Sequence, residues 1–238
     1  DTGAGSLRQA VTDLNASGAA GDIRFVSGSS GTIDLTSGGL TLTQHASLLN
    51  NSGGGVAAFR IGGSNVTALT ATSLGTIGGS SGLRIGATAS TGSDAYGITS
   101  NSGTLSIGSI AATGSIMVTA DQSHAGGLRG ADGVTIVGEM AGHITATALH
   151  GFEAFGIFAE NGAISIGSIA STGSITATAG TSTAIGLYGS SGVAITGEMA
   201  GDIAAMATSD FGAHGIYAYS AISIGSIAST GSITATAG

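Results

Sequence analysis

The sequence predicts an all-β fold: a right-handed parallel β-helix of three strands per coil, with an N-terminal amphipathic capping helix. Three observations predict it. They are a near-regular internal repeat, period-two alternation inside each repeat, and a composition rich in Gly, Ser and Thr but poor in charge. The phrase AISIGSIASTGSITATAG fills 163–180 and recurs letter for letter at 221–238, 58 residues further on. Shorter relatives of it, SLGTIG at 73–78 and SIGSIA at 106–111, precede these copies. A cousin with a Gly-Glu-Met-Ala-Gly ending lies at 136–142 and 195–201. Aligning the central glycines, Gly75, Gly108, Gly138, Gly167, Gly197 and Gly225, gives spacings of 33, 30, 29, 30 and 28. The unit is therefore about 29 residues long, and two alternating unit types make the 58-residue superrepeat.

Each unit carries three short alternating segments, of the types Ala163–Ile169, Gly173–Ala179 and Ala184–Gly189. Alternation over five to seven residues, ended by Gly, Ser or Asn, is a strand signal. Three strands and three turns in about 29 residues make one solenoid coil, with successive coils about 4.8 Å apart. Ile175 and Ala177 then point inward and Thr176 and Thr178 outward. Ile116, Ile144, Ile175, Ile203 and Ile233 are expected to form one inward ladder. Stacking identical coils places Ile on Ile and Ala on Ala, which is the reason for the repeated phrase. A leucine-rich or helical repeat would need a leucine ladder or helix-length pattern, and a β-sandwich would not keep so constant a spacing.

The first sixty residues differ. Ser6 and Gln9 have the spacing of a capping box. Leu7, Ala10, Val11 and Leu14 follow on one helical face, and Gly18 ends the helix. Strands are expected at 22–26, 31–35 and 40–43. A solenoid end exposes core and unpaired strand edges, so a helix laid across it is the expected lid. The domain reading is 1–54 for the cap and first coil and 55–238 for the repeat region, with further coils expected beyond Gly238 or another copy docking there.

The composition bounds function. The chain has 238 residues, 45 Gly, no Pro, Cys or Trp, and five Lys plus Arg, all of them Arg, against 13 carboxylates. Its net charge of -8 argues against nucleic-acid binding, because phosphate contacts need Lys and Arg, and against anionic membrane surfaces. No segment reaches the ~18 apolar residues of a membrane-spanning helix, so no direct membrane insertion is expected. No Cys means no disulfides.

The stretch Ser6-Leu7-Arg8-Gln9-Ala10-Val11, then Gly21-Asp22-Ile23-Arg24-Phe25, then Gly31-Thr32-Ile33-Asp34-Leu35, resembles the N-terminal cap of bacterial exported right-handed parallel β-helix proteins. These are autotransporter passenger domains and filamentous-haemagglutinin-like surface adhesins. Gly5 stands where many such caps carry a Cys. The resemblance implies an extracellular protein of the bacterial cell surface, a structural or adhesive stalk or fibre. Its implied partners are host or neighbouring-cell surface proteins or glycans, or further copies through the coil ends.

Few residues suggest chemistry. Glu139 and Glu198 occupy equivalent places two coils apart with Ser168 between, compatible with a carboxylate pair but explained by the repeat itself. Asp94, Asp121, Asp132 and Asp210 fall in turn-like contexts and read as solvated turn residues. His143, His150, Glu139 and Glu153 share one coil without a metal-ligand spacing, His143 aligning with Asp202 and His150 with Ser209. A calcium repeat and a phosphate loop are absent, and no convincing nucleophile elbow stands out. We therefore expect no enzyme activity, cofactor or metal.

Two surface ladders remain. Phe158, Tyr188 and Tyr217 follow Thr99 and Arg129 at the outward place of the third strand. They form a possible ligand surface for sugars or proteins, or a set of rings bracing neighbouring coils. The Thr-x-Thr ranks Thr145/Thr147, Thr176/Thr178 and Thr234/Thr236 resemble ice-binding arrays but are interrupted by Met117/Thr119 and Ala204/Met206. An adhesin-like structural solenoid is the function expected. The alternatives are a glycan- or ice-binding solenoid and a polysaccharide-active β-helix enzyme.

Overall fold

The protein is described here from a computed structural model, which covers residues 3–26, 31–53, 55–209 and 211–238. Asp210, one of the expected turn aspartates, lies outside the described residues.

The chain opens with helix α1 (Leu7–Ser17). The Ser6 side chain accepts a hydrogen bond from the Gln9 N–H, and Gly18 closes the helix in the left-handed conformation at φ 67°. The capping box is only half formed, because Gln9 Nε2 donates to Asp13 Oδ1 at 2.6 Å. Leu7 and Val11 are buried in the main core, and Leu14 packs partly against it. A Cβ on Gly21 would stand 2.9 Å from Leu14 Cδ1, so the helix rests directly on the first coil. Ala10, expected on the apolar face, is exposed instead. Polar groups on the helix fix its seat. Arg8 donates to the Gly38 and Gly39 carbonyls, and Asn15 donates to the Thr41 carbonyl at 2.7 Å while accepting from the Thr43 N–H at 2.9 Å.

After the helix the chain winds as a parallel β-solenoid. Among the described residues its strands form three parallel sheets of eight, eight and seven strands, each strand pairing with its equivalents in the coils before and after. That makes seven three-strand coils and two strands of an eighth. The fifth coil consists of Gly133–Met140, His143–Ala148 and Ala154–Ala159, and the sixth of Ala163–Ile169, Ser174–Ala179 and Ala184–Gly189. The strands expected near the start are present as Gly21–Phe25, Gly31–Asp34 and Leu40–Leu42.

The expected inward ladder forms in register: Ile116 pairs with Ile144, Ile144 with Ile175, Ile175 with Ile203 and Ile203 with Ile233. Phe59 and Ile85 extend it toward the N-terminus. One continuous apolar core runs from the helix to Ala207. Burying each such side chain contributes roughly 1.5–3 kcal/mol. The last two strands, Ile222–Ile227 and Ser232–Ala237, pair on one side only, and their Ile222, Ile227 and Ile233 are partly exposed.

The aligned glycines of the first sheet stack as the spacing implies. A Cβ on Gly138 would lie 2.9 Å from the Gly108 carbonyl oxygen, and one on Gly197 2.6 Å from that of Gly167. The two unit types differ by a β-bulge. The register shifts between Ile136 and Glu139, and again between Ile195 and Glu198, because the Glu-bearing strands carry one extra residue.

Candidate functional site

The candidate site is the outer face of the third sheet. Two outward columns run along it. One is Thr70, Thr99, Arg129, Phe158, Tyr188 and Tyr217. The other is Thr67, Tyr96, Gly126, Phe155, Ile185 and His214. The expected residues Phe158, Tyr188 and Tyr217 thus occupy successive rungs. They touch: the Phe158 and Tyr188 centroids are 5.1 Å apart, and Tyr188 and Tyr217 stack at 5.6 Å with an interplanar angle of 11°. Phe155 joins them, stacked 4.6 Å from Phe158. Tyr219, just beyond its strand, stands edge-on to both Tyr188 and Tyr217. Burial against these neighbours, followed by the effect of Tyr219, pushes the Tyr188 phenol up to about 12.

A strand can place rings this way because the first of the two residues between its outward places is glycine. Gly97, Gly127, Gly156, Gly186 and Gly215 each face the inward isoleucine of the next coil. The backbone comes close to that ladder, and the flanking side chains turn outward as a pair.

The polar rim was not foreseen as a unit. Asp94, His124 and Glu153 each directly precede a third-sheet strand, on three successive coils. His124 Nδ1 lies 3.1 Å from Asp94 Oδ1, and its Nε2 lies 2.8 Å from Glu153 Oε2. Asp94 also accepts from the Ser123 hydroxyl and from the His124 N–H at 3.1 Å. Phe152 stacks on the imidazole, ring centroids 5.1 Å apart. Burial alone would raise the Asp94 pKa. The hydrogen bonds from Ser123 and from the backbone and ring of His124 outweigh it, and the carboxyl sits below its ordinary range. Asp94 is therefore an organised, half-buried acceptor, which corrects its reading as a solvated turn residue. The turn reading missed it because the partners lie one coil away.

The opposite rim is Glu160, paired with Arg129. The Arg129 guanidinium lies over the Tyr96 ring, 5.3 Å from its centroid. Burial is the main cause that pushes the Tyr96 phenol up to about 12; Asp94 adds to it and Arg129 opposes it. Together these residues bound a groove of about 560 Å3 with an aromatic floor.

The other candidates scatter. His150 bonds Asp121 at 2.9 Å and His143 bonds Ser174 at 2.8 Å, while Glu153 is held by His124, so the acids and imidazoles of that coil do not converge. His143 does align with Asp202, through Ser174. Glu139 lies beside Ser168 and is exposed on its bulge, as Glu198 is beside Ser226. Asp132 is exposed. On the second sheet Thr88, Thr119, Thr147 and Thr178 form one column, broken by Met206 before Thr236. Its neighbour column holds Met117 before Thr145 and Thr176, and Ala204 after them. The interruptions expected from the sequence are therefore real. Among the described residues no helix is long and apolar enough to cross a membrane.

No protein-family model matches the chain, and neither a curated protein nor a solved structure matches it significantly.

Proposed function

We propose that the chain is a rigid, non-catalytic solenoid of an exported bacterial surface protein, and that the outer face of its third sheet is the adhesive surface. One observation carries the reading. Phe155, Phe158, Tyr188, Tyr217 and Tyr219 form a continuous row of ring contacts along the solenoid. Aromatic rings supply much contact area at small entropic cost, and a phenol adds a hydrogen-bonding tip. Phe155, Phe158 and Tyr188 sit on strands hydrogen-bonded to a coil on each side, and Tyr217 on one bonded to the Tyr188 strand, so little ordering is lost on binding. The resemblance of residues 6–35 to caps of exported surface adhesins supports the localisation. Surface proteins or glycans of host or neighbouring cells are the partners this reading implies.

Beads coated with the purified chain should adhere to cultured epithelial cells. Beads carrying Phe158→Ser, Tyr188→Ser and Tyr217→Ser together should not. Equal adhesion by both would overturn the assignment of this face. Time-dependent appearance of new reducing ends when the chain is incubated with polysaccharide would overturn its non-catalytic part.

A further inference from the structure

We propose that the outer face of the third sheet is one continuous track for an uncharged, unbranched polysaccharide, lying with its chain parallel to the solenoid axis. The proposal deepens the adhesive-face reading above and rests on it.

The first support is a second cleft, at the corner where the second sheet meets the early strands of the third. It has a volume of about 790 Å3 and includes Thr41, Thr67, Thr70 and Asn65 in its lining. Thr41 pairs with Thr70 and Thr70 with Thr99, so this cleft continues the column that leads through Arg129 to Phe158, Tyr188 and Tyr217. This cleft lies on the earlier coils and is lined by hydroxyls and the Asp34–Arg60 pair, whereas the aromatic groove lies on the later coils and is lined by rings. Each coil advances the floor by about 4.8 Å, a step comparable to one sugar ring of an extended chain.

The second support lies on the rungs that follow this cleft, Thr99 and Arg129, of which Arg129 lines the aromatic groove. The Thr99 hydroxyl and Arg129 Nε are buried and have no hydrogen-bond partner in the chain. Buried polar groups are nearly always satisfied, and exceptions call for a reason. Both groups belong to adjacent rungs of the same outward column, and a ligand hydroxyl would satisfy them on displacing the side chains that cover them.

The third support is charge. Asp94 and Glu153 are held by His124, and Glu160 is held by Arg129. The groove thus offers oriented acceptors and donors rather than a free countercharge. An acidic ligand would meet three carboxylates in a chain of net charge -8. A neutral polyol meets ring faces for its C–H surfaces and fixed polar groups for its hydroxyls.

The test is titration calorimetry with β-1,4-linked glucan, xylan and mannan oligosaccharides of three and six units, and with hexagalacturonate. At least one neutral hexamer should bind tenfold or more tightly than its trimer, and hexagalacturonate at least tenfold more weakly than that hexamer. Tyr188→Ala should weaken trimer and hexamer alike. Thr67→Val with Thr70→Val should weaken the hexamer and leave the trimer unchanged. Thermal unfolding verifies that each variant folds, and Thr145→Val on the second sheet serves as the control that changes nothing. Absence of binding by every neutral hexamer, equal affinity of trimer and hexamer, or equally tight hexagalacturonate binding would each overturn the proposal. If the glycans fail while cell adhesion still depends on the aromatic row, the adhesive face stands and its polysaccharide ligand falls. If adhesion is also indifferent to the row, both fall.

Discussion

Gly156 faces Ile175 across the solenoid interior: a Cβ at position 156 would stand 2.3 Å from Ile175 Cγ2 and 2.5 Å from the Gly186 carbonyl oxygen. The same opposition repeats at Gly127 with Ile144 and at Gly186 with Ile203. The glycine column exists because the isoleucine column fills the space a methyl group would need. Gly156→Ala should therefore destabilise by about 1–3 kcal/mol through overpacking. Ile175→Val should not restore stability in that background, since valine keeps the Cγ2 methyl and the Gly186 carbonyl stays in place. Denaturant midpoints of the single and double variants measure this, and a neutral Gly156→Ala would count against the close packing.

The cap should matter energetically. Val11 is buried against the first coils, so Val11→Asp should cost several kcal/mol by burying an unpaired charge. Ser6→Ala should cost only about 1 kcal/mol, the usual loss of an N-cap acceptor. Melting curves of the two variants should differ in that order.

The Asp94 carboxyl is lower in pKa in the folded chain than its ordinary value. Its contribution to stability is thus present above the unfolded pKa of about 3.9 and is lost as pH falls through the folded value. Asp94→Asn should lower the unfolding midpoint at neutral pH, and the gap to the parent chain should close in the acid range below pH ~3.9. A gap independent of pH would show that the carboxylate charge is not what the Ser123 and His124 contacts hold.

Tyr96 and Tyr188 are pushed up to about 12, so they should ionise well after a free tyrosine at ~10. The unfolded chain ionises first, so their contribution is complete below pH ~10 and is lost as pH rises toward the folded values. Alkaline absorbance titration should show a late component, reduced in Tyr96→Phe and reduced further when Tyr188→Phe is added, with Tyr217, also raised by burial and by Tyr219, contributing the remainder. Tyrosines that all titrate near the free value would contradict the buried packing of these phenols.

Far-ultraviolet circular dichroism should be dominated by strand, because α1 supplies 11 helical residues in a chain of 238. A helix fraction above a quarter would be incompatible with the solenoid.

What the sequence determined by itself was everything written in consecutive residues. Alternation in Ser174–Ala179 marks a strand, Ser6 and Gly18 bracket a helix, and the spacing of Gly138, Gly167 and Gly197 sets the coil length. These signals are local, or they are repeated, and stacking equivalent positions turns repetition directly into contact. Hence Phe158, Tyr188 and Tyr217 could be placed on one face before any coordinates. What only the tertiary structure decided is how unlike residues meet between coils. Asp94, His124 and Glu153 are separated by 30 and 29 residues, and their types do not repeat. A signal was present, since each directly precedes an Ala-x-Gly third strand, but it acquires meaning only once the register sets neighbouring coils about 4.8 Å apart. The same holds for Tyr96 under Arg129 and for Gly156 against Ile175. Side-chain direction, bulges and close packing convert positions distant in sequence into a groove, and no period in the sequence encodes that conversion.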